Sequence, residues 1–195
     1  MNFGNTSDNA PNAPNAPNTH AFLGASNYAW LNYNEEKLIQ TWKNRQAVLR
    51  GTELHELAAK LIKLGVKQKK IKKTFNMYVN DAIGFKMTPE VLLRYSNNFF
   101  GTADAIAFNE DKGFLRIHDL KTGTTPAKMD QLYIYCALFC LQHDYRPRDL
   151  EFETRIYQFN DVKIETPKAE VILPIIDKAI RFDAIIDELI EMEGI

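Results

Sequence analysis

The segments Gly101-Thr102-Ala103-Asp104 and Phe114-Leu115-Arg116-Ile117-His118-Asp119-Leu120-Lys121 decide the fold. Both are rich in β-formers, and the polar run 109–113 between them is turn chemistry, so they read as neighbouring antiparallel strands. Side chains alternate along a strand, so Asp119 and Lys121 share one face while Leu120 points into the core. A regular hairpin then brings Asp104 and Asp119 together at one end of the sheet. Two bare carboxylates about 4 Å apart repel by about 4 kcal/mol at an effective dielectric of about 20. A cation is expected there, and oxygen donors point to Mg²⁺ or Mn²⁺.

Working outward, the β-rich runs 91–95, 99–108 and 114–121 are separated by Ser96-Asn97-Asn98 and by 109–113, which predicts consecutive antiparallel hairpins. An apolar helical stretch at 128–141 follows, then a strand near 152–159. From Pro167, with Thr166 as its expected cap, Ile172, Ile175, Ile176, Ala179, Ile186 and Leu189 recur at helical spacing, and Pro174 is expected to kink that helix.

Upstream, Ser26 and Asn34 are candidate helix caps, the latter before Glu35 and Glu36. Helix is expected to run, with a break near Gly51, as far as Leu64. Its apolar stripe is read as Leu54, Leu57, Ala58, Leu61 and Leu64, with His55 on the flank beside Gly51 and Ile62, able to reach a cleft. Ile71, Phe75, Val79 and Ala82 continue the helical spacing. Residues 1–20 repeat Asn-Ala-Pro from Asn9 to Pro17 and read as an extended arm outside the fold. Residues 21–195 are expected to form a single domain.

At 195 residues, 45% hydrophobic and 25% charged, the chain has an ordinary globular composition and length for one well-buried core. No apolar run is long enough to cross a bilayer and no secretory leader is evident, so the expectation is a cytosolic protein without a membrane partner. Cys136 and Cys140 lie four apart on one helix and read as buried thiols; two cysteines are too few for the usual iron-sulfur cluster, so none is expected. Net charge is −1, yet lysines crowd the stretch 60–73, and Lys60, Lys63, Lys67 and Lys70 have the spacing of one helical face. Such a stripe is either a solvated surface or a contact for a phosphate backbone.

Gln131 and Tyr135, four apart on the helix after Lys121, can reach the lysine or a phosphate. His55 supplies a nitrogen ligand that favours Mn²⁺ somewhat over Mg²⁺. His118 alternates away from Asp119 and reads as packed. Glu53 and Glu56 read as solvent-facing. Phe99 and Phe100 can stack on bases, although strand aromatics are more often core. Arg50, Arg94 and Lys128 are candidate phosphate contacts.

The glycine-x-x-x-histidine at Gly51 and His55, glycine-x-x-aspartate at Gly101 and Asp104, aspartate-x-lysine at Asp119 and Lys121, and glutamine-x-x-x-tyrosine at Gln131 and Tyr135 resemble, in type, order and spacing, the PD-(D/E)xK nuclease superfamily, in particular its RecB-like exonuclease branch. The resemblance covers residues 22–159. It implies an α/β fold with a restriction-endonuclease-like αβββαβ core, a mixed sheet flanked by helices, and extra N-terminal and C-terminal helices. It further implies that His55, Asp104, Asp119 and the backbone carbonyl of Leu120 hold Mg²⁺ or Mn²⁺, that Lys121 assists the attacking water, and that Gln131 and Tyr135 organise the site and contact DNA.

The expected activity is metal-dependent hydrolysis of phosphodiesters in single- or double-stranded DNA, with an exonuclease of DNA processing or recombination favoured over an endonuclease. The alternatives are a non-catalytic DNA-binding or partner-binding protein on the same fold, or a nuclease acting on RNA or branched DNA. Protein partners or a homo-oligomer are left open. Small stand-alone members of this branch are often phage-encoded, which would put the protein in the host-cell cytoplasm.

Overall fold

The computed structural model describes residues 21–194, so the Asn-Ala-Pro arm lies outside the described residues. These residues divide into two compact units at Ala47/Val48.

In the first unit a short 3-10 helix, Tyr28–Asn32, precedes the start of helix α1 (Glu35–Leu64). Asn34 caps α1 as expected, its Oδ1 accepting from the Lys37 amide at 2.9 Å. Glu35 and Glu36 complement the positive helix end. Ser26 makes no such cap: Asn27 precedes the 3-10 helix, without a side-chain hydrogen bond. Phe22 meets Trp42 edge-on at 5.1 Å, and Trp30 donates to the Gly24 carbonyl.

The second unit is α/β. After the rest of α1 come α2 (Thr74–Gly84), β1 (Thr88–Arg94), β2 (Phe100–Asn109), β3 (Phe114–Leu120), α3 (Asp130–His143), β4 (Glu151–Gln158), β5 (Asp161–Glu165) and α4 (Ala169–Glu193). The five strands form one sheet in the order β1-β2-β3-β4-β5. The first three are antiparallel, as the hairpin reading requires; β4 runs parallel to β3, with α3 as the crossover, and β5 returns antiparallel. The sheet is therefore mixed.

Helices cover both faces. Leu115 and Ile117 of β3 pack with Leu132, Cys136 and Leu138 of α3 and Ile172 of α4. Leu120 packs on the other side, with Ala58 and Ile62 of α1 and Tyr78, Val79 and Ala82 of α2. Cys136 and Cys140 are buried free thiols. Among the described residues no helix is long and apolar enough to cross a membrane.

Several expectations need correction. Helix α1 does not break at Gly51. A Cβ there would lie 2.9 Å from Thr122 Oγ1, so the glycine permits a close approach rather than a turn. The buried face of α1 is Gly51, Ala58, Ala59 and Ile62, while Leu57 and Leu64 are exposed. Of the expected stripe, Ala58 is buried and Leu61 packs partly against the core, whereas Leu57 and Leu64 face outward.

The lysines do not form one helical stripe. Helix α1 stops at Leu64, where Gly65 takes φ +65°, so Lys60 and Lys63 are helical while Lys67 and Lys70 lie on the loop to α2. The side chain of Asn80 on α2 bonds both the amide and the carbonyl of Gln68, at 2.8 and 3.1 Å, which fixes that loop away from helical geometry. Ile71 falls on the same loop and is exposed.

Strand β1 starts before Pro89, at Thr88, because an edge strand tolerates a missing amide. Helix α3 begins at Asp130, leaving Lys128 exposed on the preceding segment. Strand β5 follows a two-residue turn in which Phe159 and Asn160 both have positive φ, the geometry of a tight hairpin. Lys168, not Thr166, occupies the cap position of α4, and Pro174 lies within that helix without ending it.

Candidate metal centre

Asp104 sits on β2 where the in-out alternation slips. Ala103 packs on the α3 side and Ala105 on the α1–α2 side, although residues two apart on a regular strand share a face. The pairings Pro89↔Ala105 and Val91↔Ala103 bracket Glu90 opposite Asp104. Glu90 carries φ 53°, a left-handed conformation that costs a side-chain-bearing residue about 1–3 kcal/mol and concentrates at functional sites. The ribbon is thus distorted at its acidic pair.

His55 on α1 closes the cluster. Its Nδ1 lies 3.3 Å from Asp104 Oδ2, which also accepts from the Leu120 amide at 2.8 Å. One ligand atom each from His55, Glu90 and Asp104 fall within 4.8 Å of one another. The hydrogen bond to Asp104 raises the His55 pKa against the opposing effect of its burial. Burial and the neighbouring Asp104 charge raise that of Glu90.

Asp119, near the end of β3, is almost fully buried. Burial first, and then the charge of Asp104, push its carboxyl up to about 6. Lys121 Nζ hydrogen-bonds Asp119 Oδ1 at 3.1 Å and also lies 3.1 Å from Oδ2, so the ammonium straddles both oxygens of the buried carboxylate. A buried aspartate beside a histidine and two further acids is a donor set that suits a divalent cation. Oxygen donors with one imidazole suit Mn²⁺ or Mg²⁺.

A hydrogen-bond chain holds the lysine. Lys121 Nζ donates to Gln131 Oε1 at 2.7 Å, Gln131 Nε2 donates to Tyr135 Oη at 3.1 Å, and Tyr135 Oη donates to the Thr102 carbonyl at 2.6 Å. The chain runs from β3 through α3 back to β2. Gly101 makes room for it: a Cβ there would stand 3.0 Å from Tyr135 Cε1. Tyr135 is buried and its hydroxyl is engaged at both ends, so it braces the lysine from within.

His55, Asp104, Asp119, Lys121, Gln131 and Tyr135 therefore converge. Of these, His55 also lines an open groove of 670 Å³, together with Lys60, Lys63, Thr52, Glu56 and Glu90. Lys67, Lys70 and Lys128 do not line that groove. His118 is fully buried, its Nδ1 3.3 Å from Tyr157 Oη, and is a packed residue as expected.

Glu90 escaped sequence reasoning because a glutamate after proline at a strand edge looks like a surface residue. The signal was its cross-strand position: the turn at 96–98 fixes the register that sets it opposite Asp104.

Comparisons with protein-family models, curated proteins and solved structures returned no match.

Proposed function

We propose that the protein is a divalent-metal-dependent DNA nuclease, with exonuclease action in DNA processing or recombination, and that its second unit is a restriction-endonuclease-like core of the PD-(D/E)xK superfamily, RecB-like branch. One observation carries this reading: ligand atoms of His55, Glu90 and Asp104 gather within 4.8 Å, next to a buried aspartate and a lysine that is ion-paired to it and fixed by a hydrogen-bond chain. The succession of a helix, β1, β2, β3, α3 and β4 supports the core assignment through its order, αβββαβ. The four motifs fall at its centre.

Mg²⁺ or Mn²⁺ bound by His55, Asp104 and Asp119, with the Leu120 carbonyl and Glu90 as further oxygen donors, would acidify a water and offset phosphate charge. Lys121, hydrogen-bonded to the Asp119 carboxylate, steers the nucleophile or steadies the negative charge that develops on the phosphate. Gln131 and Tyr135 act on Lys121, holding its ammonium group in one direction. Lys60 and Lys63 attract the phosphate backbone into the groove beside His55.

The test is cleavage of end-labelled linear DNA and covalently closed circular DNA, with Mg²⁺ or Mn²⁺ against chelator, for wild type and Lys121→Ala. The expected result is metal-dependent digestion of the linear form, reduced about 10²- to 10³-fold in the variant. Nicking of the circle would replace the exonuclease with an endonuclease. Failure of wild type to cleave either DNA would overturn the nuclease reading.

A further inference from the structure

Past the acidic pair, the β1–β2 ribbon keeps a face that is exposed among the described residues. Its register continues from Glu90 opposite Asp104 to Leu92↔Thr102 and Arg94↔Phe100. Val91, Leu93 and Ala103 face the α3 core, so Leu92, Arg94, Thr102 and Phe100 point the other way, toward the side from which His55 reaches Asp104. Phe100 is 58% exposed and Leu92 54% exposed, whereas Phe99 packs against the core. Leu92 and Phe100 are diagonal neighbours across the ribbon, within reach of each other. Arg94 is exposed, with its guanidinium held by the Asn97 side chain.

We propose that this face seats an unpaired DNA strand leading away from the scissile phosphate, with Phe100 stacked on a base, Leu92 beneath its edge and Arg94 on the backbone. The inference rests on the nuclease reading for the location of the phosphate. The chemistry of the face selects the occupant. A solvent-exposed phenylalanine beside a leucine offers a flat apolar platform, and the neighbouring arginine offers a cation, the pairing that binds single strands without sequence preference.

The interior of duplex DNA does not fit that description, because both faces of each base there are already covered by stacked neighbours. The distance suits a neighbouring nucleotide. Arg94 and Phe100 stand four residues along the ribbon from the acidic pair, about 13 Å at strand rise. The substrate class that follows is single-stranded DNA or a frayed or overhanging end.

The experiment measures binding of a fluorescent single-stranded oligonucleotide, and of a blunt duplex of the same sequence, by fluorescence anisotropy in Ca²⁺ at fixed salt. The proteins are wild type, Phe100→Ala, Phe100→Leu, Phe100→Trp and Arg94→Gln, each checked by thermal melting; kcat and KM for cleavage are measured in parallel in Mg²⁺. Phe100→Ala is expected to weaken single-strand binding about 5- to 100-fold, with duplex binding changed less than about twofold. Phe100→Leu should lose nearly as much, because area alone does not stack, and Phe100→Trp should restore affinity. Arg94→Gln should lower the slope of log affinity against log salt by about one.

Single-strand binding by Phe100→Ala or Phe100→Leu equal to wild type, equal losses on single strand and duplex, or no binding of single strands by wild type would each overturn the proposal. If wild type cleaves DNA but the Phe100 variants match it, only the platform falls. If wild type cleaves nothing yet Phe100→Ala selectively loses single strands, the nuclease reading falls and the platform stands.

Discussion

Strand β3 carries two charged clusters with opposite characters. Near its start, Arg116 pairs with Glu153 across the parallel ladder at 2.6 Å, and Arg155 reaches the same carboxylate oxygen at 2.8 Å. Arg116 also lies over the Phe85 ring at 3.8 Å. Burial pushes the Glu153 carboxyl up, but the two arginine hydrogen bonds outweigh it and hold the pKa below the usual range. Three residues on from Arg116, Asp119 shares its neighbourhood with Asp104 and Glu90 against one lysine and one histidine, and the pKa values of Asp119 and Glu90 rise. The first cluster is complete as folded; the second lacks positive charge. Charges that close on themselves brace the sheet, and charges left short mark where a ligand belongs.

The largest expected contrast is in activity. Asp104→Asn should reduce metal-dependent cleavage about 10²- to 10³-fold, while Glu153→Gln should leave kcat within about twofold in the same assay. Equal losses would mean that the two clusters do not differ in function.

Thermal melts with and without Mn²⁺ invert the comparison. Glu153→Ala strands Arg116, leaves Arg155 only its 3.5 Å pairing with Asp81, and should cost about 3 kcal/mol, several degrees in Tm. Wild type should gain about 2.7 kcal/mol at Mn²⁺ a hundredfold above its dissociation constant. That gain should survive in Glu153→Gln and vanish in Asp104→Asn. A cation shift that persists in Asp104→Asn would place the ion elsewhere.

Acid should act on the clusters in opposite directions. The folded-state pKa of Glu153 is depressed, so its stabilising contribution is present above the ordinary value of 4.5 and is lost as pH falls through the folded value. Asp119 is raised from 3.8 to about 6, so without divalent cation the folded state holds a proton that the unfolded chain has lost, and its contribution falls as pH rises between those values. Melts in chelator across this range should show Glu153→Gln flattening the acid limb. Asp119→Asn should become more stable than wild type above about pH 6, on the order of 1 kcal/mol or more. The absence of that crossover would remove the case for an uncompensated carboxylate.

The smallest effect concerns the chain that orients Lys121. Tyr135→Phe removes the hydroxyl between Gln131 and the Thr102 carbonyl and should cost about 1 kcal/mol of stability. It should lower kcat with KM unchanged, since Tyr135 acts through Lys121 and is not exposed to substrate.

Much of the site was legible because its parts are local. Asp119-Leu120-Lys121 on one strand, Gln131 and Tyr135 one helical turn apart, and Asp104 on the preceding strand follow from two periodicities and one hairpin. Gly51 and the lysine stretch were read wrongly in opposite directions. A glycine taken as a break lies inside a continuous helix where it makes room for Thr122, and a helical spacing of lysines runs on past the end of the helix, where Asn80 anchors the loop. The stripe of α1 was right for Ala58 and, in part, Leu61, but Leu57 and Leu64 lie outside.

Apart from β5, the sequence by itself determined the order of helices and strands, the types of the converging residues and the chemistry those types permit, because propensity, periodicity and side-chain functional groups are properties of short segments. The tertiary structure decided what depends on strands meeting. It set Glu90 opposite Asp104, buried Asp119 against a single lysine, tied that lysine through α3 to the Thr102 carbonyl, and bared Phe100 while packing Phe99 against the core. Cross-strand register and desolvation are set by residues far apart in the chain, and no local pattern encodes them.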